Sequence, residues 1–171
     1  MKQAASAIFL IFGFLLQSTL FAQFSIGGIN PNLLIIVVAS IGFLVGSKYG
    51  MITGFIAGLM VDVFFGSVIG LYSLIYMYIG YINGNFKKIL FSGDFKLPLG
   101  LIIVSDIAYG HICYIVLFLL KGDFNYLYYL RSVILPEAVY TTVVACLFYP
   151  LLNVTFKKII SYEEKVESTI G

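Results

Sequence analysis

The sequence predicts an all-α integral membrane protein folded as a bundle of six transmembrane helices. Three observations carry this. Of 171 residues, 61% are hydrophobic and only 11% charged, against about 45–50% and about 25% in an average soluble domain, so a soluble domain of this size has too little interior for its apolar surface. The apolar residues fall into six runs, and the length leaves room for at most about eight spans of ~20 residues. Lys and Arg also alternate between the loops in the way a threaded membrane protein requires. The same composition excludes disorder, which needs low hydrophobicity and high charge. A net charge of +2 with scattered cations gives no nucleic-acid surface.

The first run, Ala4–Phe24, follows Lys2. Leu20-Phe21-Ala22 resembles a cleavage site, but Leu20 is large where a small residue is preferred and the run exceeds a signal h-region, so it reads as a retained helix. Asn30 and Pro31 open the second run, Leu33–Val45, which stops at Gly46-Ser47-Lys48. The third, Tyr49–Phe65, ends in Gly66-Ser67. The fourth is Ile69–Ile82, the fifth Leu97–Leu120 and the sixth Val133–Leu152. Residues 1–152 thus form one transmembrane domain, and residues 153–171 a cytoplasmic tail of mixed charge that reads as a frayed helix end. Cys113 and Cys146 lie inside apolar runs and read as small core residues rather than a disulfide.

With six spans and the N-terminus inside, Lys2, Lys48, Lys87, Lys88, Lys96, Lys157, Lys158 and Lys165 share the cytoplasmic side, and only Lys121 and Arg131 lie outside. Both termini are then cytoplasmic. The outer loop from Gly122 to Arg131 carries Phe124, Tyr126, Tyr128 and Tyr129, suited to the headgroup region as a short interfacial helix or as a docking surface.

Two patterns within the spans go beyond hydrophobicity. Gly42, Gly46, Gly50, Gly54, Gly58, Asp62, Gly66 and Gly70 recur every four residues. Small residues at that spacing line a helix groove into which a second backbone can move closely, whether inside the protein or from a partner. The second pattern is ionisable residues at membrane depth, each of which costs at least ~2.5–3.5 kcal/mol when unpaired at the bilayer centre. Asp106 lies about 14 Å into its span and needs a partner, a wet cavity or protonation. Asp62, His111 and Glu137 fall in the outer third with Arg131 above them. Asp62 could cap the turn at Gly66-Ser67, Glu137 could pair with Arg131, or these groups with Asp106 could line a polar network or ligand pocket.

No Gly-rich phosphate loop, paired-His zinc motif or nucleophile elbow occurs, and one His cannot build a His-rich metal site. No enzyme, metal or cofactor is expected.

Asn30-Pro31-Asn32-Leu33-Leu34, then Gly54-x3-Gly58-x3-Asp62-x3-Gly66-Ser67-x2-Gly70-Leu71, and later Leu135-Pro136-Glu137-Ala138-Val139-Tyr140 with Tyr149-Pro150-Leu151, resemble the MreD family of bacterial rod-shape-determining membrane proteins. The resemblance covers nearly the whole chain. It implies a non-catalytic subunit of the cell-elongation machinery in the cytoplasmic membrane, bound directly to the bitopic protein MreC. It further implies action with the actin-like MreB, a RodA-type glycosyltransferase and a penicillin-binding transpeptidase. The family's fold is similar to the substrate-binding subunit of energy-coupling factor transporters, so an alternative is a membrane subunit that takes a small ligand. On the first reading, MreC's transmembrane helix enters the glycine-lined surface at Gly54 and Gly58. The Asp62–Gly70 turn then fixes the outer helix ends, and the last span, entered through Pro136 and Glu137, forms the opposite wall.

Overall fold

The computed structural model describes residues 1–25, 28–66, 69–89, 96–117 and 125–170. Ser67, most of the basic loop after Lys88, the last residues of the expected fifth span (118–120) and the start of the aromatic outer loop (121–124) lie outside the described residues. The described chain is all-α. Its helices are α1 (Lys2–Ser18), α2 (Leu20–Gln23), α3 (Leu33–Val45), α4 (Ser47–Phe65), α5 (Leu71–Asn85), α6 (Lys96–Leu117), α7 (Tyr126–Tyr129) and α8 (Leu135–Ile170). A 3₁₀ turn, Phe86–Ile89, follows α5, and a π-helical segment, Leu130–Ile134, joins α7 to α8. Six of these, α1, α3, α4, α5, α6 and α8, are the principal helices of the bundle.

Helix α3 is its axis. Twelve of its thirteen residues are buried, and it touches α1, α4, α5, α6 and α8. A helix apolar on every face has no side to give to water and is enclosed by its neighbours. Asn32 starts α3 as an N-cap, its side chain accepting from the Ile35 amide. Gly46 ends it, with a φ of 130° that only glycine adopts without strain.

Helices Ser47–Phe65 and Lys96–Leu117 and the run Tyr126–Val166 are long and apolar enough to cross a membrane, while α1 and α3 are shorter apolar helices. Pro98 falls in the first turn of α6, where its missing N–H is no loss. Pro150 sits inside α8 without ending it, as membrane helices tolerate. Helix α8 presents Ala138, Thr141, Ala145, Tyr149, Leu152 and Phe156 inward, continuing from the buried Ile134 just before it, and Val139, Val143, Leu147, Leu151 and Val154 outward. The inward residues recur at three- and four-residue spacing, one stripe of a helix.

Residues 153–170 are not a separate tail but the continuation of α8. Phe156 is fully buried, with its ring 5.9 Å from that of Phe9. Glu163 then clasps the N-terminus: its carboxylate lies 3.1 Å from the Met1 ammonium and 2.7 Å from Lys2 Nζ. Cys113 and Cys146 are both free, and Cys146 is exposed on the outer face of α8 rather than in the core.

Candidate functional site

The glycine series is occupied from within. Helices α4 and α5 form the most extensive helix pair in the fold, and the glycines between them face backbone. A Cβ on Gly54 would strike the Tyr76 carbonyl, and one on Gly58 would strike the Tyr72 carbonyl and the Ser73 backbone. From the other side, Gly80 meets the Gly50 carbonyl and Gly84 meets Ser47. Gly42 brings α3 into the same contact, since a Cβ there would lie 2.5 Å from the Gly80 oxygen. The surface expected to receive a partner helix at Gly54 and Gly58 is thus the seam of an internal three-helix contact. The physical reason is chain economy: α5 follows α4 after a short turn and reaches the groove first.

Asp62 locks that turn. Its carboxylate accepts from the Tyr72 and Ser73 amides, each at 2.9 Å, and from the Ser73 hydroxyl. These amides are among the orphan donors of the first turn of α5, so Asp62 caps a neighbouring helix and places its charge at the positive end of the helix dipole. Gly66 donates its amide to the Asp62 carbonyl, and Gly70, the N-cap of α5, takes the left-handed conformation at φ 101°. The Asp62, Gly66 and Gly70 spacing is the signature of this hairpin.

A second polar group lies at the buried start of α3. Gln17 Oε1 accepts from the Leu34 amide at 3.1 Å, so α1 supplies a second cap. The Asn32 amide donates to Thr141 Oγ1 at 3.0 Å, and the Tyr76 hydroxyl donates to Asn32 Oδ1 at 2.8 Å. Glu137 lies one helical turn before Thr141 on α8, within hydrogen-bonding reach of the Asn32 side chain and Coulombic reach of Asp106. Asp106 is 3% exposed. Thr141 neighbours its carboxyl outside hydrogen-bond geometry, and both carboxyl oxygens lack a partner. Four helices, α3, α5, α6 and α8, thus bring polar side chains to one buried place. Beside it opens a cavity of about 210 Å³ lined by Phe14, Gln17, Phe65, Tyr72, Tyr76 and Tyr109 among others.

Residues 3–159 match the family described as rod shape-determining protein MreD. The chain belongs to the MreD family. No curated protein and no solved structure matches it. The MreD match runs from α1 into the part of α8 that carries Phe156, so it includes the glycine seam, the Asp62 cap and the polar cluster at Asn32. Membership makes the chain a rod-shape-determining membrane protein.

Within this MreD fold the expected convergence of outer-third ionisable groups divides. Asp106 and Glu137 lie within Coulombic reach of each other, whereas Asp62 is committed to α5. His111 is committed to the interfacial segment: Nδ1 lies 2.7 Å from the Ile107 carbonyl and Nε2 2.7 Å from the Tyr126 hydroxyl. A carbonyl only accepts, so Nδ1 bears a proton in this arrangement. Arg131 makes no ion pair with Glu137 and is exposed. The two stand six positions apart with the π-helical segment Leu130–Ile134 leading into α8 between them, so they lack the three- or four-residue spacing that brings helix side chains together. Pro31 is buried and the Asn30 Oδ1 atom is buried without a partner. Pro136 stands in the first turn of α8, beside an open surface groove that also includes Ile29, Val139 and Val143.

Sequence reasoning did not single out Gln17, Tyr76 or Thr141. Thr141 had a signal, since it stands one turn from Glu137 on the same face. Tyr76 lies among other tyrosines of α5 and had none. At the opposite end of the bundle, Lys87 Nζ donates to the Val45 carbonyl at 2.8 Å, closing the C-terminus of α3 with a cation. Burial, and then the nearby Lys2 charge, lower the Lys87 pKa from its ordinary value, with Glu164 opposing.

Proposed function

We propose that this chain is a non-catalytic, six-span subunit of the bacterial cell-elongation complex. In this reading it binds MreC directly and helps organise or regulate lateral peptidoglycan synthesis with MreB, a RodA-type glycosyltransferase and a penicillin-binding transpeptidase. The family match over residues 3–159 carries the reading. The use of its polar groups supports it: Asp62, Asn32, Gln17 and Thr141 are spent on fastening helix ends, as a rigid scaffold requires.

Both termini are cytoplasmic in this proposal. The N-terminus, the C-terminal end of α3 and the distal part of α8 meet at one end of the bundle through Glu163 and Lys87. That end gathers the Lys-rich segments, which favours the cytoplasmic side. Because the glycine seam is filled, MreC's helix docks on an outward face instead.

The test is photo-crosslinking in native membranes, with the reactive group at Ile52 on α4, Tyr78 on α5 or Val143 on α8, all exposed, followed by mass spectrometry of the captured proteins. Capture of MreC from one face and not the others supports the proposal and maps the surface. Capture of paired ATPases with a coupling membrane subunit, and no MreC, overturns it in favour of a ligand-binding transporter subunit.

A further inference from the structure

A buried carboxyl group with two unpartnered oxygens is among the most costly features a membrane bundle can carry. Asp106 is such a group, and its surroundings compound the cost. Glu137 on α8 brings a second carboxyl within Coulombic reach of it. The other titratable groups in Coulombic contact with this pair are Tyr76 on α5, Tyr109 and Cys113 on α6 and Tyr129 on α7, none of which brings a positive charge. The ion pairs among the described residues are both at Glu163, at the far end of the bundle. The fold therefore gathers carboxyl and hydroxyl oxygen atoms around Asp106 and supplies no cation of its own among the described residues.

The chemistry of the cluster narrows what could balance it. The Asp106 carboxyl, the Glu137 carboxyl and the Thr141 hydroxyl are hard oxygen donors, the set preferred by hard cations. Among the described residues no group of three His, Cys, Asp or Glu side chains comes together to hold a metal, which disfavours divalent and transition ions. A proton would remove one charge but leave the carboxyl without a completed hydrogen bond, because Thr141 stands beside it outside bonding geometry. A monovalent metal ion binds several oxygens at once and has no such directional demand. The cavity of about 210 Å³ lies next to the cluster, with Tyr76 lining it and also bonding Asn32.

We propose that Asp106, with Glu137 and Thr141, forms a binding site for one alkali-metal cation of the sodium class. The ion joins α6 to α8 at the depth where α3 begins, and so contributes to holding the bundle closed. This site is separate from any partner surface, and it stands or falls independently of MreC binding.

The experiment uses the full chain in nanodiscs of uncharged lipid, with the unfolding midpoint followed by helical circular dichroism. Sodium chloride is titrated against N-methyl-D-glucamine chloride at constant ionic strength and pH 8, and a parallel series varies pH without sodium. The expected result is a saturable rise in midpoint with sodium. Asp106→Asn abolishes the sodium response, and Glu137→Gln shifts its half-saturation upward by about tenfold or more, the effect of losing one favourable ligand. A midpoint indifferent to sodium but rising as pH falls makes the occupant a proton and overturns the proposal, as does a midpoint indifferent to both. A sodium response that survives in Asp106→Asn places the ion elsewhere and also overturns it. If Asp106→Asn does not fold, Glu137→Gln decides: half-saturation unchanged from the parent protein refutes the site.

Discussion

Replacing Gly58 by Ala tests whether the glycine seam is an internal contact. The added methyl would meet the Tyr72 carbonyl and the Ser73 amide nitrogen and Cα, all backbone atoms of α5. Backbone cannot rotate aside as a side chain can, so α5 must retreat by about 1 Å, and a gap of that size forfeits a quarter to a half of each dispersion contact it opens. Overpacking of this kind costs about 1–3 kcal/mol, against a gain of up to about 1 kcal/mol for Ala over Gly in a helix. With three backbone atoms struck at once the cost lies at the upper end of that range, so the net expectation is destabilisation by about 2 kcal/mol. Gly100 is the internal control: it lies in α6 with nothing within 4 Å of its Cβ position. There only the propensity term acts, and Gly100→Ala stabilises by up to about 1 kcal/mol. The assay is loss of helical circular dichroism in mixed micelles as the fraction of SDS rises, with the parent and both variants measured together. A Gly58→Ala protein as stable as the parent, or as Gly100→Ala, would refute the reasoning and return the groove to the protein surface.

Asp62→Ala strips the acceptor from two amides and a hydroxyl at the start of α5; with each buried donor costing about 1–3 kcal/mol, the α4–α5 turn is expected to lose amide protection in hydrogen exchange before the rest of the bundle. Asp62→Asn recovers part of that protection, and equal protection in all three proteins counts against the cap. Thr141→Val leaves the Asn32 amide buried without its acceptor and is expected to lower stability by about 1–3 kcal/mol, while Thr141→Ser stays near the parent in the same micelle titration. Glu163→Gln releases the N-terminus from α8, read as a broadened distance between spin labels at Ala4 and Ser161. The Glu163 carboxyl is held down to about 2, first by its hydrogen bond from Lys2 and then by that from the N-terminus, against an ordinary 4.5. The clasp is therefore complete above the ordinary value and is lost only as pH falls through about 2, and a clasp that opens at pH 4 contradicts the assignment.

What could be read in advance depended on whether the signal was local. Both limits of α3 were legible because Asn30-Pro31 ahead of the run and Gly46 after it punctuate the chain, although the capping role of Asn32 was not read. The period-four glycines were legible as a groove, but a stripe of small residues reads the same whether its occupant is the next helix or another protein. Asp62 was legible as a cap in kind, yet its target, the amides of Tyr72 and Ser73, lies across the turn on another helix. The Asp106–Glu137 pair depends on the relative rotation of α6 and α8, which periodicity in lipid sets weakly because exposed and buried faces are both apolar. The extension of α8 had a readable sign, since Phe156 continues the stripe of Tyr149 and Leu152, but the surrounding charges obscured it.

The enclosure of α3 has a consequence for how the chain is made. Thirteen residues span about 20 Å, short of the ~30 Å hydrocarbon core, so α3 is a poor span on its own despite being emitted early. Its first amide bonds need Gln17, already synthesised, and its Asn32 amide needs Thr141, more than a hundred residues later. The centre of the bundle is therefore the last part to be completed during biosynthesis. A chain ending before α8 would hold a half-capped core helix with its α8-facing side open.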